Sequence, residues 1–318
     1  MSRGRPDSGP FRPSIPEEYG RDLPGRGRSV LVTGASAGIG LETSLHLARK
    51  GFHVYATMRD LERGAALEAE AKNAGLPLCL LRVDVTEEET IRAAVQGIVE
   101  TRGPLYGVVN NAGAIVRGFF EDLEEEEIRR IFDTNFFGTL AVTRAALPGM
   151  RAAGRGRIVM IGSAGGRFGM AGATAYCATK FALAGFSESL AQEVAPFGIR
   201  VVLIEPGMIQ TELFGRNLGV ARNARNAESP YADLFEDLLT LSLERSRQTS
   251  LKTRDVAEAV ARALLSARPP MRLMVGQTPR LVFRLKRYLP EESFQRVFTW
   301  AFYRKLRSVR QRRRLSVK

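Results

Sequence analysis

The stretch from Ser29 to Lys50 constrains this chain more than any other. A short β-branched run, Ser29-Val-Leu-Val-Thr33, ends in Gly34-Ala-Ser-Ala-Gly-Ile-Gly40 and passes straight into an amphipathic helix, Leu41 to Lys50. Strand, glycine-rich turn and helix in immediate succession form the first half of a βαβ unit. The glycines let the backbone turn tightly and come close to a ligand. The helix start adds unpaired N–H groups and the positive end of its dipole, which suit a pyrophosphate. The layout is that of a dinucleotide site, with the spacing G-x3-G-x-G in place of the commoner G-x-G-x-x-G.

The same residues also spell Gly34-Ala-Ser36-Ala-Gly38, the G-x-S-x-G of a hydrolase nucleophile elbow, in the strand-to-helix context that motif requires. A hydrolase of that kind needs a histidine late in the chain, and none follows His53. His46 and His53 read as structural residues of the first helix and second strand.

Further strand and helix signals alternate downstream. The second strand, His53 to Met58, ends in Arg59-Asp60, where a βαβ unit faces the adenosine ribose. An arginine there suits a 2′-phosphate and points to NADP, and the adjacent Asp60 keeps NAD as the alternative. After a helix over Glu62 to Asn73, the third strand, Leu78 to Val85, carries Asp84 near its end. That carboxylate either caps the next helix or reaches an adenine edge. A helix over Glu87 to Glu100 leads to the strand Leu105 to Val109 and then to Asn110-Asn111-Ala112-Gly113, which fits close packing beside a cofactor. The acidic run Glu124 to Glu127 opens the next helix and favours its dipole. Asn135 follows as a polar residue in an apolar setting.

A fifth strand, Gly156 to Ile161, ends at Gly162-Ser163, and a sixth, Ile199 to Ile204, ends at Glu205-Pro206-Gly207 with Thr211 beyond. The insertion from Glu212 to about Gln248 bears an apolar stripe, Tyr231, Leu234, Phe235, Leu238 and Leu239, and reads as a lid. Met271 to Val275 completes seven strands. The alternation predicts one α/β domain, a Rossmann-type doubly wound parallel seven-stranded sheet over residues 29–276, with right-handed crossovers.

Between the fifth and sixth strands lies a proline-free helical segment, Ala175 to Val194, with Tyr176 and Lys180 one turn apart on one face. An ammonium beside a phenol favours the phenolate, so the pair is a candidate proton donor and acceptor near neutral pH. Ser163, thirteen residues before Tyr176, offers a hydroxyl to a substrate oxygen.

The formal charge of +13 sits at the ends of the chain. Residues 277–318 carry 13 Lys/Arg against two glutamates, while residues 29–276 hold 28 of each sign, so a nucleic-acid role is not expected. Residues 1–28, rich in Arg, Pro and Gly, read as a disordered extension without a signal-peptide core. Cys79 and Cys177 are too few for a disulfide framework and fit a reducing, cytoplasmic setting; no metal-ligand cluster and no transmembrane run are expected. Near the C-terminus, Phe294, Val297, Phe298, Ala301, Phe302 and Leu306 share one helical face beside Arg296, Arg304, Lys305 and Arg307, with Arg310 to Arg314 beyond. Such a helix either associates peripherally with an anionic membrane surface or packs on the domain and leaves a solvated basic tail.

Taken together, Thr33-Gly34-x3-Gly38-Ile39-Gly40, Asp84, Asn110-Asn111-Ala112-Gly113, Asn135, Ser163, Tyr176-x3-Lys180 and Pro206-Gly207 with Thr211 resemble the short-chain dehydrogenase/reductase family over about residues 29–276. The resemblance implies hydride transfer between a nicotinamide and a carbonyl carbon. Tyr176 would be the general acid/base, Lys180 would hold the nicotinamide ribose and lower the tyrosine's pKa, Ser163 would orient the carbonyl, and Asn135 would support a water relay. Cofactor contacts are implied for Gly34, Ser36, Gly38, Ile39, Gly40, Arg59, Asp84, Val85, Asn111, Ala112, Gly113, Tyr176, Lys180, Pro206, Gly207 and Thr211. Val54 to Asp60, Phe132 to Gly138 and Tyr176 to Leu183 look most like the hydroxysteroid and retinol dehydrogenase branch, which suggests NADP and a bulky apolar alcohol or ketone. By analogy a homodimer or homotetramer is expected. The competing reading is a dinucleotide-binding scaffold without turnover.

Overall fold

In a computed structural model, which describes residues 23–209 and 219–316, seven parallel strands form one sheet. They are β1 Ser29–Val32, β2 His53–Met58, β3 Leu78–Arg82, β4 Gly107–Asn110, β6 Gly156–Ile161, β7 Ile199–Pro206 and β9 Arg272–Val275, in the order β3-β2-β1-β4-β6-β7-β9. The strands are apolar on both faces, yet their period of two still sorts them. Val30, Val32, Val54, Ala56, Val159 and Val202 point to one layer, and Leu31, Tyr55, Val108, Ile158 and Leu203 to the other. Helices α1 Gly38–Arg49, α2 Ala65–Asn73 and α8 Thr253–Leu265 cover the first layer; α3 Glu88–Arg102, α5 Gly138–Ala152 and α6 Thr174–Val194 cover the second.

The chain leaves β1 in one direction through β2 and β3, then returns to build β4, β6, β7 and β9 on the other side. The order therefore reverses between β1 and β4, which opens a crevice at their carboxyl ends.

Several boundaries depart from the sequence reading for local reasons. Strand β3 stops at Arg82 because Asp84 Oδ1 accepts hydrogen bonds from the Thr86 backbone N–H and hydroxyl, which turns the chain before Val85. Strand β7 runs on to Pro206 because Pro206 pairs with Val275. Residues 23–28 form a turn pinned to the end of α1, with Gly25 N–H donating to Lys50 O. A second, two-stranded parallel sheet joins β5 Val116–Arg117 to β8 Gly219–Val220.

Beyond β8, the insertion contributes α7 Ala232–Gln248, and the C-terminal segment forms α9 Gln277–Tyr288 and α10 Glu291–Ser316. The stripe of α7 is core: Phe235, Leu238, Leu239 and Leu241 bury against Leu306 and Val309 of α10. The basic run from Arg310 onward continues the helix, and Arg310, Arg312 and Arg313 reach back to α7. Arg310 Nε and an Arg313 amino nitrogen each lie 2.7 Å from a carboxylate oxygen of Asp237, and Arg312 lies 2.8 Å from Glu244. Among the described residues no helix is long and apolar enough to cross a membrane.

Candidate active site

The glycine turn is held against the end of β4. Gly34 has φ +66°, and a Cβ on it would stand 2.8 Å from Ala112 Cα. A Cβ on Gly40 would collide with the Gly34 carbonyl oxygen and come within 2.5 Å of Asn111 Nδ2. Asn111 Nδ2 donates to Thr33 O at 2.9 Å and to Gly34 O at 3.1 Å; Thr33 Oγ1 accepts from the backbone N–H of Asn111 and Ala112. Helix α1 starts here with no side-chain cap and no acidic residue in its first turn, so its first N–H groups and dipole end suit an anion. A Cβ on Gly38, at φ +59°, would meet nothing within 4 Å, which leaves room along the backbone for a phosphate chain. Ser36 and Ile39 lie partly buried on the same turn, and Gly113 closes the loop after β4.

Arg59 stands exposed at the tip of β2, its Nε 3.9 Å from Asp84 Oδ2. Asp60 is engaged in its own turn, where its Oδ1 accepts from Glu62 N–H at 3.0 Å. Arg59 thus stands between two carboxylates at the end that would face an adenosine ribose, with its side chain 75% exposed. Asp84 spends one oxygen on Thr86, as a turn cap does, while Val85 packs on Gly138.

Asn135 sits in one turn of π-helix, Asp133–Phe137, between α4 Glu125–Phe132 and α5. Such a turn inserts an extra residue and re-aims its side chains. Asn135 Oδ1 accepts from Ala114 N–H at 2.7 Å, and Nδ2 donates to Ala114 O at 2.9 Å and to Thr179 Oγ1 at 3.1 Å. Its amide thus ties the loop after β4 to α6 one residue before Lys180.

Ser163 stands just past the end of β6 and caps a short turn, its Oγ accepting from Gly165 N–H at 3.0 Å, and its hydroxyl acts on the Tyr176 phenol. Lys180 is buried on α6, and its Nζ donates to Ile161 O at 2.8 Å and lies 5.7 Å from the centre of the Tyr176 ring. Burial lowers the Lys180 pKa to about 8. Tyr176 corrects one expectation of the sequence. Burial pushes its pKa above the ordinary value, and the groups that pull it back are the Ser163 hydroxyl and the Arg117 guanidinium rather than Lys180. Lys180 turns its nitrogen to the Ile161 carbonyl, and burial weakens its own charge.

Arg117 is the residue the sequence reading missed. It is 5% exposed on β5, where the bridge between Gly118 and Ala173 brings it beside the start of α6. Its charge acts on both Tyr176 and Cys177. The one signal in the sequence was a lone arginine closing the apolar run Ala114-Ile-Val.

On the far side, Gly207 N–H donates to Val275 O, and Pro206 follows the buried Glu205, whose carboxylate is held by Arg167 and Arg272. Thr211 lies outside the described residues. The Ser163, Tyr176, Lys180, Asn135, Asn111 and glycine-turn positions thus gather at the carboxyl ends of β1, β4 and β6. Arg59 and Asp84 stand at the β2 and β3 ends. The arrangement offers an anion-binding turn next to a hydroxyl pair that can pass a proton, with an amine behind it.

Residues 28–218 match the family model described as short chain dehydrogenase. Retinol dehydrogenase 8 of Homo sapiens is 36% identical over 293 residues, which cover 82% of this chain and 92% of that protein. 3-Ketodihydrosphingosine reductase of Bacteroides thetaiotaomicron is also 36% identical, over 267 residues covering 84% of this chain and 94% of that protein. Among solved structures, a metagenomic short-chain oxidoreductase in complex with NADP superposes with a TM-score of 0.64 at 27% identity, over 79% of this chain and 98% of that one.

Proposed function

The chain belongs to the short-chain dehydrogenase family and is an oxidoreductase, and from that premise we propose that it interconverts an apolar alcohol and its ketone or aldehyde with NADP, NAD being the lesser cofactor. The observation that carries this reading is the placing of Lys180 Nζ 5.7 Å from the centre of the Tyr176 ring and 2.8 Å from Ile161 O at the end of β6, two residues before Ser163 on the same strand end. The residues fit the dinucleotide: Gly34 and Gly38 leave room for a pyrophosphate at the uncapped start of α1, and Arg59 suits a 2′-phosphate. When bound, the nicotinamide supplies or takes the hydride at the carbonyl carbon.

The chain's own residues handle the proton. Tyr176 gives it to the substrate oxygen in reduction and takes it in oxidation, while Ser163 donates a hydrogen bond that fixes that oxygen. Lys180 holds the ribose and refills the tyrosine's proton, and Asn135 keeps the loop after β4 and helix α6 in register. Gly113, Pro206 and Gly207 are assigned to the nicotinamide side, and Thr211 goes with them on the sequence motif alone.

Two relatives of equal identity are named for different substrates, a retinoid and a sphingoid ketone. What they share is a long apolar skeleton, and that shared chemistry is the substrate class proposed here. A homodimer or homotetramer goes with this reading, since Phe137 and Phe181 stand exposed next to α5 and on α6.

The test is consumption of NADPH, against NADH, with retinal, a sphingoid ketone, steroid ketones and simple aldehydes. We expect turnover that prefers NADPH and a loss of about 10²–10⁴-fold in Tyr176→Phe. Light scattering of the same sample reads the assembly. Binding of both cofactors with no turnover on any member of the panel would favour the scaffold reading.

A further inference from the structure

The basic C-terminal segment divides into two parts with different employment. Arg310, Arg312 and Arg313 are spent on Asp237 and Glu244 of α7. Arg284, Arg287, Arg296 and Arg307 make no ion pair among the described residues and stand exposed. From Ser293 to Lys318 the sequence has no acidic residue.

The same part of the chain exposes apolar side chains. Half of the exposed large hydrophobic residues of the described chain fall between Leu281 and Leu315. Val282 on α9 and Leu289 just after it pack inward with Phe168 and Phe294, and the Phe283 ring lies 4.2 Å from the Arg167 guanidinium carbon. That inward face leaves Leu281, Leu285 and Tyr288, at helical spacing, on a solvent stripe, with Leu281 60% and Tyr288 80% exposed. Arg280, Arg284 and Arg287 repeat the same spacing one position earlier; Arg280 donates to Met274 O, which leaves Arg284 and Arg287 as the adjoining charged stripe. On α10, Phe294 and Phe298 turn inward, while Val297 and Trp300 face out, Trp300 at 55% exposure with the Arg304 guanidinium carbon 4.6 Å from its ring. Leucine and tryptophan beside unneutralised arginine is the composition of a helix lying in a bilayer interface.

We propose that the outward face of α9 and the first half of α10 docks this protein on an anionic lipid bilayer. Charge complementarity selects the occupant. A second copy would have to bring the same arginines to a self-complementary contact, where they repel. A nucleic-acid backbone would meet the arginine stripe but has nothing for Leu281, Leu285 and Tyr288. Anionic headgroups satisfy the guanidiniums while the acyl boundary takes the apolar stripe. The outward stripe contains none of the residues assigned to the Tyr176 site, so its test needs no turnover.

Trp300 is the chain's single tryptophan, so native emission reports on the face itself. The full chain is titrated with phosphatidylcholine vesicles and with the same vesicles containing phosphatidylserine, and binding is read by Trp300 emission and by co-sedimentation. The expected result is a blue shift and sedimentation with the anionic vesicles, weakening as salt is raised. Arg284→Glu with Arg287→Glu is expected to weaken binding at least about thirtyfold, two reversed charges near a surface that attracts each basic residue by a factor of about five. Leu285→Glu is expected to weaken it as well. All of these variants keep the parent melting temperature, because their side chains touch no core. An unchanged Trp300 spectrum, or binding indifferent to the charge reversal, overturns the proposal. So does self-association without vesicles that Leu285→Glu abolishes, which would assign the face to a second copy.

Discussion

A guanidinium that is 5% exposed is costly to bury, and on β5 it brings a positive charge to bear on Tyr176 and Cys177. Burial holds the Tyr176 proton on, and Arg117 and the Ser163 hydroxyl help to release it. Replacing Arg117 by methionine keeps much of the volume and removes the charge. The Tyr176 pKa then moves further up, since the phenolate loses a stabilising neighbour while the neutral phenol loses little. In the oxidation direction the site needs the phenolate, so the limb of kcat/KM that rises with pH shifts to higher pH, whereas Arg117→Lys keeps the parent profile. A purely structural role would lower activity in Arg117→Met without moving that limb. Ser163, Tyr176 and Lys180 were legible because their spacings are written along the chain. Arg117 was not, because its approach to Tyr176 depends on the Gly118 to Ala173 bridge and the two-residue strand before it, which no local periodicity announces.

The glycine turn tests the fold at the level of an element. Gly40 lies on the first turn of α1 where the Gly34 carbonyl and the Asn111 amide press on it, and both of those groups are tied together by a hydrogen bond of 3.1 Å. Gly40→Ala must therefore open the turn or push α1 off β4. We expect a stability loss of about 1–3 kcal/mol, as for overpacking elsewhere in close-packed structure. Beyond it, a thermal shift with NADP should shrink toward zero. A variant that melts lower yet keeps the full NADP shift would show that the turn packs the sheet without holding the dinucleotide. Every strand of the seven-stranded sheet was readable, since apolar runs bounded by Gly, Asn and Asp mark parallel strands and their ends. Strand ends were less so: Asp84 stops β3 through a side-chain turn, and Pro206 extends β7 through its pairing with Val275. The π-turn at Asn135 was legible only as a polar residue in an apolar stretch, because the inserted residue changes hydrogen bonding and leaves composition alone.

The whole molecule is joined at Asp237, 2% exposed, to which α10 brings Arg310 and Arg313 from 73 and 76 residues further along the chain. A basic run on an amphipathic helix says that acids or water will meet it and nothing about which acid, so the tail read equally as solvated or as membrane-bound. In the folded chain the run fastens α10 to α7 and leaves the preceding arginines to face outward. The clamp thus links the insertion beside the site to the face proposed to meet a bilayer. Asp237→Asn keeps the shape and removes the charge, leaving two guanidiniums against a neutral amide. Breaking a fully buried pair costs about 3–5 kcal/mol, and because the arginine side chains keep 35% and 42% exposure the cost here is nearer about 1–3 kcal/mol. That energy is local to the α7–α10 contact, built by Phe235, Leu238, Leu306 and Val309, and the sheet has its own two layers. Trypsin should therefore cut the arginine-rich end of α10 faster in the variant while the main unfolding transition stays in place. If the end stays as resistant as in the parent, the apolar contact alone holds α10, and the buried carboxylate has another role.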